Sequence, residues 1–123
     1  MKRDWELCRK ILILTEEMPE NAHRLNVFAS SEFEGLTERE IGYHVHLLHE
    51  AGLIEVMEAR TMNNPFLLFP RYLTWAGHDF LEATRNETVW KKTLEFVKGK
   101  GGGMTLEILK GVALMFLKSE LGI

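Results

Sequence analysis

A mainly α fold carrying a small β wing, an α+β arrangement, is predicted for this 123-residue chain by three features. Thr37-Glu38-Arg39-Glu40 is a capping box that opens an amphipathic helix. Ala51-Gly52-Leu53 is a glycine stop that ends it. Two β-rich runs, Leu53 to Glu58 and Leu67 to Leu73, then flank a turn at Asn63-Asn64-Pro65. With 46% apolar and 27% charged residues, the chain has the composition of one folded soluble unit able to bury a core without staples. The single Cys8 cannot form an internal bridge, and its place in an apolar helical stripe predicts a buried thiol in a reducing, cytoplasmic setting.

From Asp4 to Met18 the apolar residues Leu7, Cys8, Ile11, Leu12, Leu14 and Met18 recur at helical spacing. Asp4 is the expected N-cap and Pro19 the stop. Residues 20–36 have no clean period. Leu25 to Phe28 fits a short strand, and the remainder is expected to be a loop with some extended structure.

In the helix after Thr37, the hydroxyl is expected to accept from the Glu40 amide while the Glu40 carboxylate returns to the Thr37 amide. Leu36 and Ile41 are spaced as a hydrophobic staple. Ile41, Val45 and Leu48 form the inward stripe, which leaves Glu38, Arg39, Gly42, Tyr43, His46 and His49 on or near the outer face. Pro70 marks the second strand of the wing as an edge.

Thr74 caps a helix to about Arg85, in which Gly77 permits a close backbone approach beside Phe80. A further helix spans Glu87 to Lys98, with Val89, Trp90, Thr93, Phe96 and Val97 along one side. Gly99-Lys100-Gly101-Gly102-Gly103 is expected to be a flexible joint and not a phosphate loop, because no strand precedes it. Thr105 starts the last helix. Its apolar arc, which includes Leu106, Ile108, Leu109, Val112, Met115 and Phe116, is wide enough to be buried on most sides, in its own domain or in a dimer partner. The whole is a winged helix-turn-helix-like domain over residues 1–86 with a C-terminal helical extension over 87–123, packed on it or forming a dimer interface.

Ile41-Gly42-Tyr43-His44-Val45, followed by Leu47-Leu48-His49-Glu50-Ala51-Gly52-Leu53-Ile54, resembles the recognition helix and turn of ArsR and PadR winged-helix regulators. Tyr72-Leu73-Thr74 with Gly77, Phe80 and Leu81 looks like their strand-to-helix junction. The opening Met1-Lys2-Arg3-Asp4, the Tyr43-His44 pair, Leu73 to Leu81, the Trp90 segment and the Leu121-Gly122 ending together resemble an uncharacterised family of small bacterial and phage proteins, a domain of unknown function. That resemblance covers nearly the whole chain and implies a winged-helix fold and a phage or prophage association. The regulator resemblance implies base-reading positions at Arg39, Gly42, Tyr43 and His46, with Arg60 at the wing tip on phosphate. It departs from the regulators in lacking a clear helix before Thr37 and in the side-chain-free Gly42.

The net charge of −3 is unevenly spread: residues 31–58 carry −6, with seven Glu against Arg39, while 59–72 carry +2 and 91–123 carry +3. An acidic reading helix opposes phosphate, so two partners stay open: double-stranded DNA, or a basic protein docking on the winged-helix shape. His44 and His46 point to different helix faces, so only His46 and His49 share a side, and two ligands make no metal site. No nucleophile elbow, metalloprotease motif or fixed carboxylate pair is present, so neither an enzyme nor a cofactor is expected. Trp5, Trp75 and Trp90 fall near the apolar sides of helices and are expected in the core. No signal peptide or membrane span is expected, since the start is charged and the most apolar run, Val112 to Leu117, is short. The expectation is a cytoplasmic DNA-binding regulator of phage or bacterial genes, homodimeric through its terminal helices.

Overall fold

The computed structural model describes residues 1–99 and 105–123. Among them lie five α-helices and a two-stranded antiparallel sheet, an α+β fold. The order is α1 (Trp5–Glu16), α2 (Glu38–Glu50), β1 (Ile54–Glu58), β2 (Leu68–Leu73), α3 (Trp75–Thr84), α4 (Glu87–Gly99) and α5 (Leu106–Leu121). The chain divides into two compact units, Met1–His78 and Asp79–Ile123.

In the first unit α1 starts at the expected cap, where an Asp4 carboxylate oxygen accepts from the amides of Glu6 (3.0 Å) and Leu7 (3.3 Å). The Asp4 amide itself donates to His44 Nε2 at 2.8 Å. Because that ring nitrogen accepts, His44 Nδ1 carries the proton and donates to the Glu40 carbonyl at 2.7 Å. One buried imidazole therefore joins the first turn of α1 to α2. Ile11, Leu12 and Val45 are fully buried where α1, α2 and β2 meet.

The capping box of α2 closes through the threonine hydroxyl, which accepts from the Glu40 amide at 3.0 Å and donates to Glu40 Oε1 at 3.2 Å. The carboxylate thus returns to the hydroxyl and not, as expected, to the Thr37 amide. The helix ends in a full Schellman pair: Gly52 donates to the His49 carbonyl and Leu53 to the Leu48 carbonyl, both at 3.0 Å, with Gly52 at φ +77°.

The strand expected at Leu25 to Phe28 does not form. Leu25 donates one bond to the Pro70 carbonyl (2.7 Å), after which the chain coils into two 3-10 turns, Val27–Ala29 and Ser31–Phe33. Local bonds win here: the Ser30 hydroxyl accepts from the Glu32 amide, and Val27 and Phe33 become the buried anchors.

β1 and β2 pair from Ile54 opposite Leu73 to Glu58 opposite Leu68, with a bulge that leaves Arg71 without an opposite residue. Thr74 then fastens the sheet to the turn after α2: its amide donates to the Leu53 carbonyl (3.0 Å), and its hydroxyl donates to the Gly52 carbonyl (2.6 Å) and accepts from the Gly77 amide (3.1 Å). Gly77 lies so close to Leu53 that an added Cβ would overlap its carbonyl oxygen. Trp75, expected in the core, is 85% exposed. The buried stripe of α3 is Gly77, Phe80, Leu81 and Thr84, and Trp75 falls on the opposite side of the helix.

The second unit holds Asp79–Thr84 of α3 with α4 and α5. The Asn86 side chain caps α4 by accepting from Thr88 and Val89. α4 and α5 run antiparallel, joined by the Lys92–Glu120 ion pair (3.0 Å) and an edge-to-face Phe96–Phe116 contact. Ala83, Val89 and Ala113 form its small core, with Phe116 and Leu117 packed against it. Within α5 only Leu109 and Ala113 are buried, so much of the wide apolar arc faces outward. Gly99 is the last residue of α4, and the rest of the glycine-rich joint, 100–103, lies outside the described residues. No helix among the described residues is long and apolar enough to cross a membrane.

Candidate functional site

The turn between the strands, residues 59–67, folds onto the outer face of α2. Its tip is closed by reciprocal backbone bonds between Thr61 and Asn64, reinforced by the Thr61 hydroxyl accepting from the Asn64 amide at 3.0 Å. Ala59 donates to the Leu67 carbonyl, which extends the ladder one rung beyond β1. These bonds set Phe66 on α2 at Gly42, where an added Cβ would overlap the Phe66 carbonyl oxygen and lie 3.0 Å from the Phe66 Cβ. Only a residue without Cβ admits that approach.

Around the Phe66 ring stand the residues expected to face a partner. Tyr43 meets it edge-on at 5.3 Å between centroids, His46 lies at 5.5 Å, and the Arg39 guanidinium sits 5.4 Å from the ring centre. Arg60 donates through Nη2 to His46 Nδ1 at 3.2 Å and approaches Glu58 Oε1 at 3.6 Å. Since arginine only donates, His46 Nδ1 accepts, and its other nitrogen, 3.2 Å from Glu50 Oε2, carries the proton. Glu58, Arg60, His46 and Glu50 thus form one chain of polar contacts across the groove between helix and hairpin.

Arg39, Gly42, Tyr43, His46 and Arg60 are all brought to this one patch, with different access. Arg39 and Arg60 are exposed, and Tyr43 and His46 are half-buried. Gly42 is covered and reaches nothing outside. Arg60 stands at the base of the turn instead of its tip, which belongs to the fully exposed Met62 and its neighbours. Phe66, the centre of the cluster, received no role from the sequence. The glycine in the middle of a capped helix was the available signal, because such a residue marks a close approach.

The electrostatics are mixed. Two guanidinium groups and a phenol face outward, bordered by the carboxylates of Glu38, Glu50 and Glu58. His49 does not join His46: its Nδ1 donates to the Ile54 carbonyl at 3.2 Å. Among the described residues no three His, Cys, Asp or Glu side chains come together as a metal site would require. The Cys8 thiol is buried, and that burial pushes its pKa up to about 12 against an opposing pull from Arg3, which leaves no ready thiolate. The second unit offers an open groove of about 330 Å³ lined by Asp79, Glu82, Ala83, Lys110, Leu114 and Leu117, with no titratable group buried in it. The Phe66 patch is therefore the best-built candidate: a planar apolar centre, two forked cations at its edge and a fixed hairpin beside a helix.

Residues 2–103 match the model of a family described as Hypothetical protein (DUF2513). A protein of Haemophilus influenzae, described as an uncharacterized protein, is 36% identical over 121 residues, covering 98% of this chain and 99% of that protein. No solved structure matches the chain to a significant degree.

Proposed function

The chain belongs to the DUF2513 family, and on that premise we propose that its first unit is a winged-helix module that binds double-stranded DNA and regulates bacterial or phage genes as a homodimer. The observation that carries this reading is the convergence of Arg39 and Arg60, from helix and hairpin, on one face around Tyr43, His46 and Phe66. α2 acts as the reading helix and the β1–β2 hairpin as the wing. Arg39, in the first turn of α2, is the residue with the freest reach to a base edge or phosphate; Arg60 supplies a phosphate contact once it leaves His46 and Glu58. Gly42 serves by seating the wing and makes no contact with a base.

A second reading has its own support. Glu38, Glu50 and Glu58 border the same face, and residues 31–58 carry −6, which suits a basic protein partner better than phosphate. A gel shift on random duplex at low salt separates the two. DNA binding that weakens steeply with salt and is reduced in the Arg39→Ala, Arg60→Ala double variant supports the first reading. Absence of any shift at low salt overturns it in favour of the second.

A further inference from the structure

α5 presents a second surface whose chemistry specifies its partner. Ile108 (49% exposed) and Met115 (50%) lie on one flank of the outer face of α5, and Leu114 (38%) and Leu121 (64%) on the other, where Leu114 also borders the groove beside Ala83. Along this sixteen-residue helix the two apolar flanks border a central line that holds Gly111. Gly111 lies in the middle of that face, and an added Cβ there would meet nothing within 4 Å, so the line between the flanks carries no side chain at this point. Two exposed charges share the same face, Glu107 at its start and Lys118 near its end. They are eleven residues apart, about three helical turns, so both point the same way.

That layout is self-complementary in one orientation only. Parallel copies would set Glu107 against Glu107 and Lys118 against Lys118. Antiparallel copies set Glu107 of each against Lys118 of the other, making two ion pairs about a two-fold axis. The same register places Leu114 of one copy opposite Gly111 of the other, so an apolar side chain faces the position that has none. We infer that the outward face of α5 is covered by the same face of a second copy of this chain, antiparallel, with Leu114 seated at Gly111 and Glu107 paired to Lys118. This interface rests on the homodimer reading above and does not depend on what the first unit binds.

Sedimentation equilibrium of the full chain tests it. The wild type is expected to dimerise, and Glu107→Lys or Lys118→Glu alone to raise the dissociation constant about tenfold, since each reversal turns two attractive pairs into two repulsive ones. The double reversal is expected to return it to the wild-type value. Met115→Glu, at a half-exposed position where folding tolerates charge, is expected to weaken the dimer without changing the far-ultraviolet circular dichroism of the chain. A wild-type chain that stays monomeric at high concentration overturns the dimer and its interface together. A dimer indifferent to all three single substitutions overturns this interface alone, and single reversals that the double fails to rescue overturn the antiparallel register.

Discussion

Substituting Gly42 by alanine tests the seating of the hairpin on α2 through the sign of a single energy. In an open helix interior, glycine to alanine stabilises by about 0.5–1 kcal/mol, because the unfolded chain loses freedom and the helix gains propensity. At Gly42 the new Cβ overlaps the Phe66 carbonyl oxygen and lies 3.0 Å from the Phe66 Cβ. Neither group is the end of a flexible side chain, so the backbone of residues 65–67 has to lift. Overpacking of this kind costs about 1–3 kcal/mol. The net expectation is a loss of about 1–2 kcal/mol, read as a lower urea midpoint at unchanged slope. Gly111→Ala is the internal control: it is also mid-helical, its Cβ meets nothing, and at concentrations where the chain is monomeric it should gain about 0.5–1 kcal/mol. Equal gains at both positions would refute the contact between Phe66 and α2.

Three further outcomes follow from the first unit. His44→Ala removes the acceptor for the Asp4 amide and the donor to the Glu40 carbonyl in a buried position, and thermal unfolding should show a loss of about 2 kcal/mol. Thr37→Ala opens the capping box of α2 and should cost about 1 kcal/mol in the same assay. The buried Cys8 should resist a thiol reagent at pH 8 until the chain unfolds. Its folded pKa of about 12 stands above the ordinary 9.0, so the unfolded chain sheds the proton first on raising pH, and the stability held by Cys8 below pH 9 should fall between pH 9 and 12.

Elements with covalently local causes were legible in the sequence. The Thr37 box, the Gly52 stop and the Asp4 cap each need only a few adjacent residues, and all three appear where their residue types place them. Helical periodicity places Arg39, Gly42, Tyr43 and His46 on or near the outer side of α2, whereas Arg60 joined them only through the regulator resemblance, which set it at the tip of the turn and not at its base. What the sequence hid depends on contacts distant along the chain. Leu25 to Phe28 has strand-like residues, but it makes a single backbone bond to β2, from Leu25 to the Pro70 carbonyl, and then turns away into 3-10 turns. His44 looks like one of three similar histidines until Asp4, forty residues earlier, donates to it. Trp75 has the type of a core residue but lies opposite the stripe that Gly77 and Phe80 define. Gly42 gave a visible warning of close approach without naming Phe66 as the group that makes it.

The most direct test of the central claim is the salt dependence of DNA affinity, measured by fluorescence anisotropy on a random duplex for the wild type and for the Arg39→Ala, Arg60→Ala double variant. If the Phe66 patch faces DNA, log affinity falls linearly with log salt, and the double variant binds more weakly with a slope reduced by about 1 for the Arg60 phosphate contact, or about 2 where Arg39 also meets phosphate. No binding at low salt, or an identical slope in the double variant, contradicts the assignment of this face to DNA.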